Sequence, residues 1–245
     1  MDGIELCSRY SFITNKLKLC GPEDSYKILL DYIFGKEKDK EKVKNLLKKF
    51  EGLYPYLEAI GNKHGLDPFS YEVVEAYWQG NELLDTFTKD DMAKLINELV
   101  KRGLLRSLAD KLIERLPEDP IPYHMFHAMF VGVGSVTGSV ETNVENMDKC
   151  RATWANVKKA EDKIILDWMQ LKIEDNEFRL VTVDNWANVY QLDYDKRLVP
   201  VADNDFVALH WNYPVKKLEY KEMCNLRKYT HKVIRIMNSI KSSMH

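Results

Sequence analysis

The sequence predicts an α+β protein in two parts. A mainly helical domain covers residues 1–140, and a small antiparallel β-barrel with a C-terminal helix covers 141–245. Three observations carry that reading. Apolar residues recur at helical spacing through the first half; the texture changes after "PEDPIP"; and from Arg151 a series of short alternating segments runs into one long amphipathic stretch. Short strands at regular spacing followed by a single helix fit a small barrel better than a parallel sheet. The boundary is expected between Gly132 and Lys149.

In chain order, "CGPEDSYKILLDYIF" opens with Gly-Pro and acidic residues, then places Tyr26, Leu29, Leu30 and Ile33 on one helical face. "DKEKVKNLLKKFEGLYPYLEAIGNKHG" repeats the period with Val43, Leu46, Leu47 and Phe50, and Pro55 should bend or split it. "DPFSYEVVEAYWQG" follows. "TKDDMAKLINELVKRG" then has Thr88 as N-cap, Asp91 three residues on, and Gly103 as C-cap. A short helix from Leu105 to Leu116 stops at the prolines. The stretch "YHMFHAMFVGVGSVTGSV" is apolar and glycine-containing, and periodicity leaves strand and helix both open. "VETNVENMDKC" reads as a short helix. Strands are expected at "ATWANVKKA", "KIILDWMQLKI", "FRLVTVD", "WANVYQLDY" and "DFVALHW", with Glu161 and Asp162 in a tight turn. A helix from Glu219 to Ile240 closes the chain, with Met223, Leu226, Tyr229, Val233 and Met237 near one face.

Bulk properties exclude several classes. With 245 residues and 45% hydrophobic content, the chain can bury one large core or two modest ones. Its net charge of −2 argues against nucleic acid as a partner, because phosphate binding needs a basic excess. No run approaches the roughly 20 apolar residues of a membrane span. The N-terminus lacks the uninterrupted apolar core of a signal peptide. The expected location is therefore the cytoplasm, without membrane or nucleic-acid partners. Cys7, Cys20, Cys150 and Cys224 are scattered, and no pair has the C-x-x-C spacing, so free thiols are expected.

No phosphate-binding, dinucleotide, nucleophile-elbow or zincin motif is present, so no nucleotide cofactor is expected. Three features remain. Cys20 precedes Gly-Pro at an expected helix start, where a helix N-terminus would lower its pKa and make it a nucleophile; a buried thiol beside a turn is the plain alternative. His124 and His127 share a face if their segment is helical, and could then meet a metal or cofactor; on a strand they would diverge. Finally, Cys150 stands at the entrance to the first expected strand and His210 at the end of the last. First and last strands of a small barrel are often neighbours, so a thiolate and an imidazole would meet, a donor pair suited to iron or another borderline metal. The plain alternative for His210, just before Tyr-Pro, is a strand-end histidine held by a carbonyl.

The segment from Cys150 onward is similar to the HypC-type hydrogenase-assembly chaperones, which have an OB-like barrel and a C-terminal helix. Val157 lies seven residues after the cysteine, "KIILDWM" resembles their second strand, and "NDFVALHWNYPVKKLEYKEM" their last strand and helix entry. Trp154, Asn204 and Asn212 stand where that family has a proline and two glycines, and the region from Asp175 to Asp203 is longer. The resemblance implies an iron fragment held by Cys150 and His210, with hydrogenase-assembly proteins or a hydrogenase subunit as partner. The whole chain also resembles an uncharacterised archaeal and bacterial family, sometimes encoded near hydrogenase-assembly genes, through "SRYSF", "CGP", "HMFH" and "DKCRATW".

The expected function is accordingly an accessory protein for metallocentre assembly that binds or passes on iron through Cys150 and His210. His124, His127 and Cys20 are second-tier candidates. The alternatives are a small-molecule enzyme with Cys20 as nucleophile and a non-catalytic interaction scaffold.

Overall fold

The computed structural model describes residues 1–161, 164–188 and 198–242. Among these the helical half comprises α1 (Gly3–Lys16), α2 (Tyr26–Ile33), α3 (Lys40–Leu47), α4 (Tyr54–His64), α5 (Tyr71–Trp78), α6 (Lys89–Val100) and α7 (Arg106–Glu114), with a 3-10 turn at Glu82–Thr86. Side-chain oxygens start most of them. Asp2, Asp39 and Ser70 each accept a first-turn N–H, and Thr88 and Asp91 form a reciprocal capping box. Pro55 splits its stretch as expected, sitting in the first turn of α4 where its missing N–H costs nothing.

Two local expectations are corrected, and one helix is added. The Gly-Pro after Cys20 does not open a helix: α2 starts at Tyr26, after a loop pinned by the Asn15 side chain to Cys20, Pro22 and Tyr26. The cap of α6 is Lys101, and Gly103 follows with φ of 122°. The N-terminal α1, unassigned from the sequence, is mostly buried, because α2, α3, α5 and one strand of the sheet pack against it.

The first half of the ambiguous apolar stretch is helical. It forms a single turn, α8 (His124–Phe126), that widens into a π-helix at His127–Gly132. Short π segments recur at functional sites. After the loop at 133–143 comes α9 (Val144–Cys150), capped by Asn143.

The strands are β1 (Thr153–Ala160), β2 (Ile164–Glu174), β3 (Glu177–Asn188), β4 (Phe206–His210) and β5 (Tyr213–Leu218), followed by α10 (Tyr220–Ser242). They form one antiparallel sheet in the order β3-β2-β1-β4-β5. This corrects the expected barrel: β3 and β5 are the sheet's two ends and do not pair with each other, so the sheet is open. The expected fourth strand is not separate over its described part, since Trp186–Asn188 continues β3. The rest of it, and residue 162 of the expected tight turn, lie outside the described residues.

The sheet alternates in the ordinary way. Ala155, Val157, Leu166, Trp168, Val207 and Leu209 form a small buried cluster on one face. Ala208, Val215 and Leu218 on the other face join α10 and the helical half in one continuous core, from Ile4 to Met237. Among the described residues no helix is long and apolar enough to cross a membrane.

Candidate metal centre

Sequence-distant segments meet where the helical half touches the sheet. His210 ends β4, and the two residues after it, Trp211 and Asn212, both have positive φ (48° and 61°). That is the conformation a two-residue hairpin turn requires. The expected Tyr-Pro break is therefore a tight turn into β5, with His210 opposite Tyr213. The Trp211 N–H donates to the Lys149 carbonyl at 2.6 Å, which latches the turn to the end of α9 and sets His210 beside Cys150.

Cys150 is fixed from behind. Asp148, in the last turn of α9, accepts from Arg151 Nε at 3.0 Å and from the Leu171 N–H at 2.8 Å, and Arg151 donates onward to the Met169 carbonyl. Arg151 is fully buried, so this pair ties α9 to β2 at its root. Burial raises the Asp148 pKa, with Arg151 opposing it.

Three donors converge: one ring nitrogen each of His124 and His210 and the Sγ of Cys150, all within 4.8 Å of one another. The three residues are 6%, 0% and 8% exposed for His124, His210 and Cys150. The Cys150 Sγ lies 3.5 Å from His124 Nε2, which also meets the Cys150 carbonyl at 2.8 Å and so carries the proton whenever that hydrogen bond is made. His210 Nδ1 is 2.8 Å from the Tyr10 carbonyl. A carbonyl only accepts, so this contact fixes the proton on Nδ1 and leaves a lone pair on Nε2. That buried Nε2 makes no hydrogen bond of normal geometry, the Cys150 backbone being the polar group nearby. Buried polar atoms are rarely left so, and one aimed at two other soft donors fits a metal ligand. A tetrahedral ion with bonds of about 2.0–2.3 Å sets its donors roughly 3.3–3.8 Å apart, so side chains need to close by only about 1 Å.

Aromatic rings frame the cluster. Trp78 packs 4.2 Å from His124 and 5.0 Å from His210, centroid to centroid, and Tyr10 stacks on Trp78 at 4.7 Å. Burial pushes both imidazoles toward the neutral form that binds metals. His210 falls to about 4, against the pull of the Tyr10 and Cys150 backbones, and His124 falls well below its usual value through burial and the nearby His210 and His127. Burial, then Cys20, pushes the Cys150 thiol up to about 12.

A cavity of about 70 Å³ adjoins the three donors. Residues 133–140 roof it, with Val133, Val136 and Val140 facing in. The roof is tied down by Ser139 Oγ to the Leu19 carbonyl and Thr142 Oγ1 to the Val133 carbonyl, both at 2.7 Å.

The structure thus brings together Cys150, His210 and His124 of the sequence candidates. His127 lines the same cavity but stands outside the cluster, with Nδ1 2.9 Å from the Tyr56 hydroxyl. Cys20 lines it too, but the expected activation fails. No helix starts there, and its thiol faces the Glu51 carboxylate at 3.4 Å; burial, then Glu51, raises it to about 12. Sequence reasoning missed Tyr10, Tyr77 and Trp78, the partners of the histidines. Tyr77 and Trp78 end α5 in "EAYWQG", which carries no spacing signal, and Tyr10 acts through its backbone.

A family model described as a family of unknown function, DUF6390, matches residues 1–244. No curated protein and no solved structure matches the chain.

Proposed function

This chain belongs to the DUF6390 family, and we propose that it is an accessory protein that holds a soft or borderline transition-metal ion in the buried cluster for delivery to a metallocentre. The observation that carries the reading is His210: its Nδ1 is committed to Tyr10, and its Nε2 is buried, makes no hydrogen bond of normal geometry and stands beside Cys150 and His124. Two imidazoles and a thiolate select iron, zinc, cobalt, nickel or copper over magnesium and calcium, which prefer oxygen. In this reading Cys150 is the anionic anchor and His124 and His210 are neutral ligands.

Iron as cargo, and hydrogenase-assembly proteins or a hydrogenase subunit as partner, rest on the sequence resemblance of the Cys150 segment to HypC-type chaperones. The test is anaerobic purification after co-expression with hydrogenase-assembly factors, followed by metal analysis and infrared spectroscopy. Iron with cyanide and carbonyl bands, lost in Cys150→Ala, is the expected result. Iron retained by folded Cys150→Ala would sink the assignment. A different metal that depends on Cys150 would keep the centre and remove the hydrogenase partner.

A thiol–imidazole enzyme is the second reading. The 3.5 Å Cys150–His124 contact beside a cavity favours it, with Cys150 rather than Cys20 as nucleophile. The raised Cys150 pKa opposes it, because activated cysteines have depressed values.

A further inference from the structure

Three short contacts run in series through His124 and Tyr77. His124 Nε2 lies 2.8 Å from the Cys150 carbonyl, His124 Nδ1 lies 2.9 Å from the Tyr77 hydroxyl, and that hydroxyl lies 2.7 Å from the Gly52 carbonyl. Each contact needs one hydrogen between its heavy atoms. A neutral imidazole and a phenol together bring only two. A third, on the ring, would place an unpaired cation in the core. One contact is always short of its hydrogen.

Two arrangements share the shortage differently. With the proton on Nε2, the ring donates to the Cys150 carbonyl, and Tyr77 must donate to Nδ1 and abandon Gly52. With the proton on Nδ1, the ring donates to Tyr77, Tyr77 donates to Gly52, and Nε2 faces the carbonyl with a bare lone pair. A metal ion bound to Nε2 would resolve the conflict: it takes up the Nε2 lone pair and holds the proton on Nδ1, and the Cys150 carbonyl, too close at 2.8 Å for an ion to lie between, moves aside.

We propose that Tyr77 is a two-position switch that reports occupancy of the centre. In the metal-free protein its hydroxyl donates to His124 Nδ1; in the metal-bound protein it accepts from Nδ1–H and donates to the Gly52 carbonyl. One proton leaves Nε2 as one arrives on Nδ1, so the imidazole stays neutral throughout. The inference rests on the metal-binding reading and adds Tyr77 as a positioning residue that selects the ligating tautomer. The change reaches beyond the cluster. Gly52, itself in the cavity wall, follows Glu51, whose carboxylate holds the Gly21 N–H at 2.9 Å and the thiol of Cys20, a second wall residue.

The neighbouring pair supplies the control. Tyr56 and His127 are buried at the same 2.9 Å, but His127 is outside the cluster, and no carbonyl competes for the Tyr56 hydroxyl among the described hydrogen bonds.

The experiment is long-range proton–nitrogen correlation of histidine-labelled protein, metal-free and loaded with Zn²⁺ alone. His124 should be the Nε2–H tautomer without metal and Nδ1–H with it. Tyr77→Phe should weaken Zn²⁺ binding about 10- to 100-fold, the usual effect of losing a ligand's supporting hydrogen bond. Tyr56→Phe should leave it unchanged. Zn²⁺ bound with no change of His124 tautomer, or equal effects of the two tyrosine variants, overturns the switch while the centre stands. No Zn²⁺ uptake by the wild-type protein overturns the centre and the switch with it.

Discussion

The chemistry of a cysteine is set by where its thiol sits, and three of the four here sit where a thiolate is expensive. Burial pushes Cys7, Cys20 and Cys150 to about 12 from an ordinary value of 9.0. Each such shift cuts the thiolate fraction near neutral pH by about a thousandfold. In the metal-free native protein at pH 8, Cys7, Cys20 and Cys150 should therefore react with a neutral thiol reagent at least about a hundredfold more slowly than in denaturant. Mass-spectrometric mapping of the modified positions checks this. A fast native reaction at Cys20 would revive the reading of that residue as a nucleophile. At this scale the sequence was partly legible. Cys150 and His210 could be paired because a first and a last strand tend to meet, and β1 and β4 are indeed neighbours. His124 entered only as a helix-face candidate, because nothing in "HMFH" tells which of two histidines will face a cysteine twenty-odd residues on.

Among the elements, α10 passes very close to the turn that follows α5. Gly80 has φ of 87°, and a Cβ there would lie 2.2 Å from the Tyr229 ring. Both the left-handed backbone and the contact exclude a side chain. Gly80→Ala should cost about 2–4 kcal/mol in urea unfolding, the sum of overpacking and backbone strain; a loss below about 1 kcal/mol would show that α10 shifts freely. Helices were legible here because caps and period agree, as in α6 from Thr88 to Val100. The barrel was misread for a physical reason. Tyr213-Pro214 looked like a chain break, yet a proline's missing N–H is tolerated in β5 because that strand is the sheet's edge. Seeing β5 turns a closing strand into an interior one, and the sheet opens.

For the whole molecule, the helical and sheet halves are joined by a buried ionic knot as well as by apolar surface. Lys216 of β5 donates to Glu222 of α10, which also accepts from the Tyr71 hydroxyl of α5 at 2.6 Å. Burial raises the Glu222 pKa, but Lys216, Tyr71 and the Glu219 N–H together outweigh it, and the net shift is downward from 4.5. A carboxylate with a depressed folded value stabilises the protein above its unfolded pKa and loses that contribution as pH falls through the folded one. Unfolding free energy should therefore fall as the pH drops below about 4.5, and the Glu222→Gln variant should show a shallower fall. Parallel curves for the two proteins would place the acid-sensitive group elsewhere.

The roof over the cavity has a kinetic consequence. Residues 133–140 lie on the loop between the π-helix and α9, over donors that are nearly or wholly shielded, so under the proposed function an ion would leave when this stretch lifts away from Leu19. Escape would then be timed by the breathing of the chain and not by the strength of the metal–ligand bonds. Adding ever more of a strong chelator to loaded protein should raise the release rate only to a plateau, set by how often the roof opens. Ser139→Ala should raise that plateau without shifting the equilibrium affinity. A rate that climbs in proportion to chelator, with no ceiling, would mean the ion is reached through the closed form.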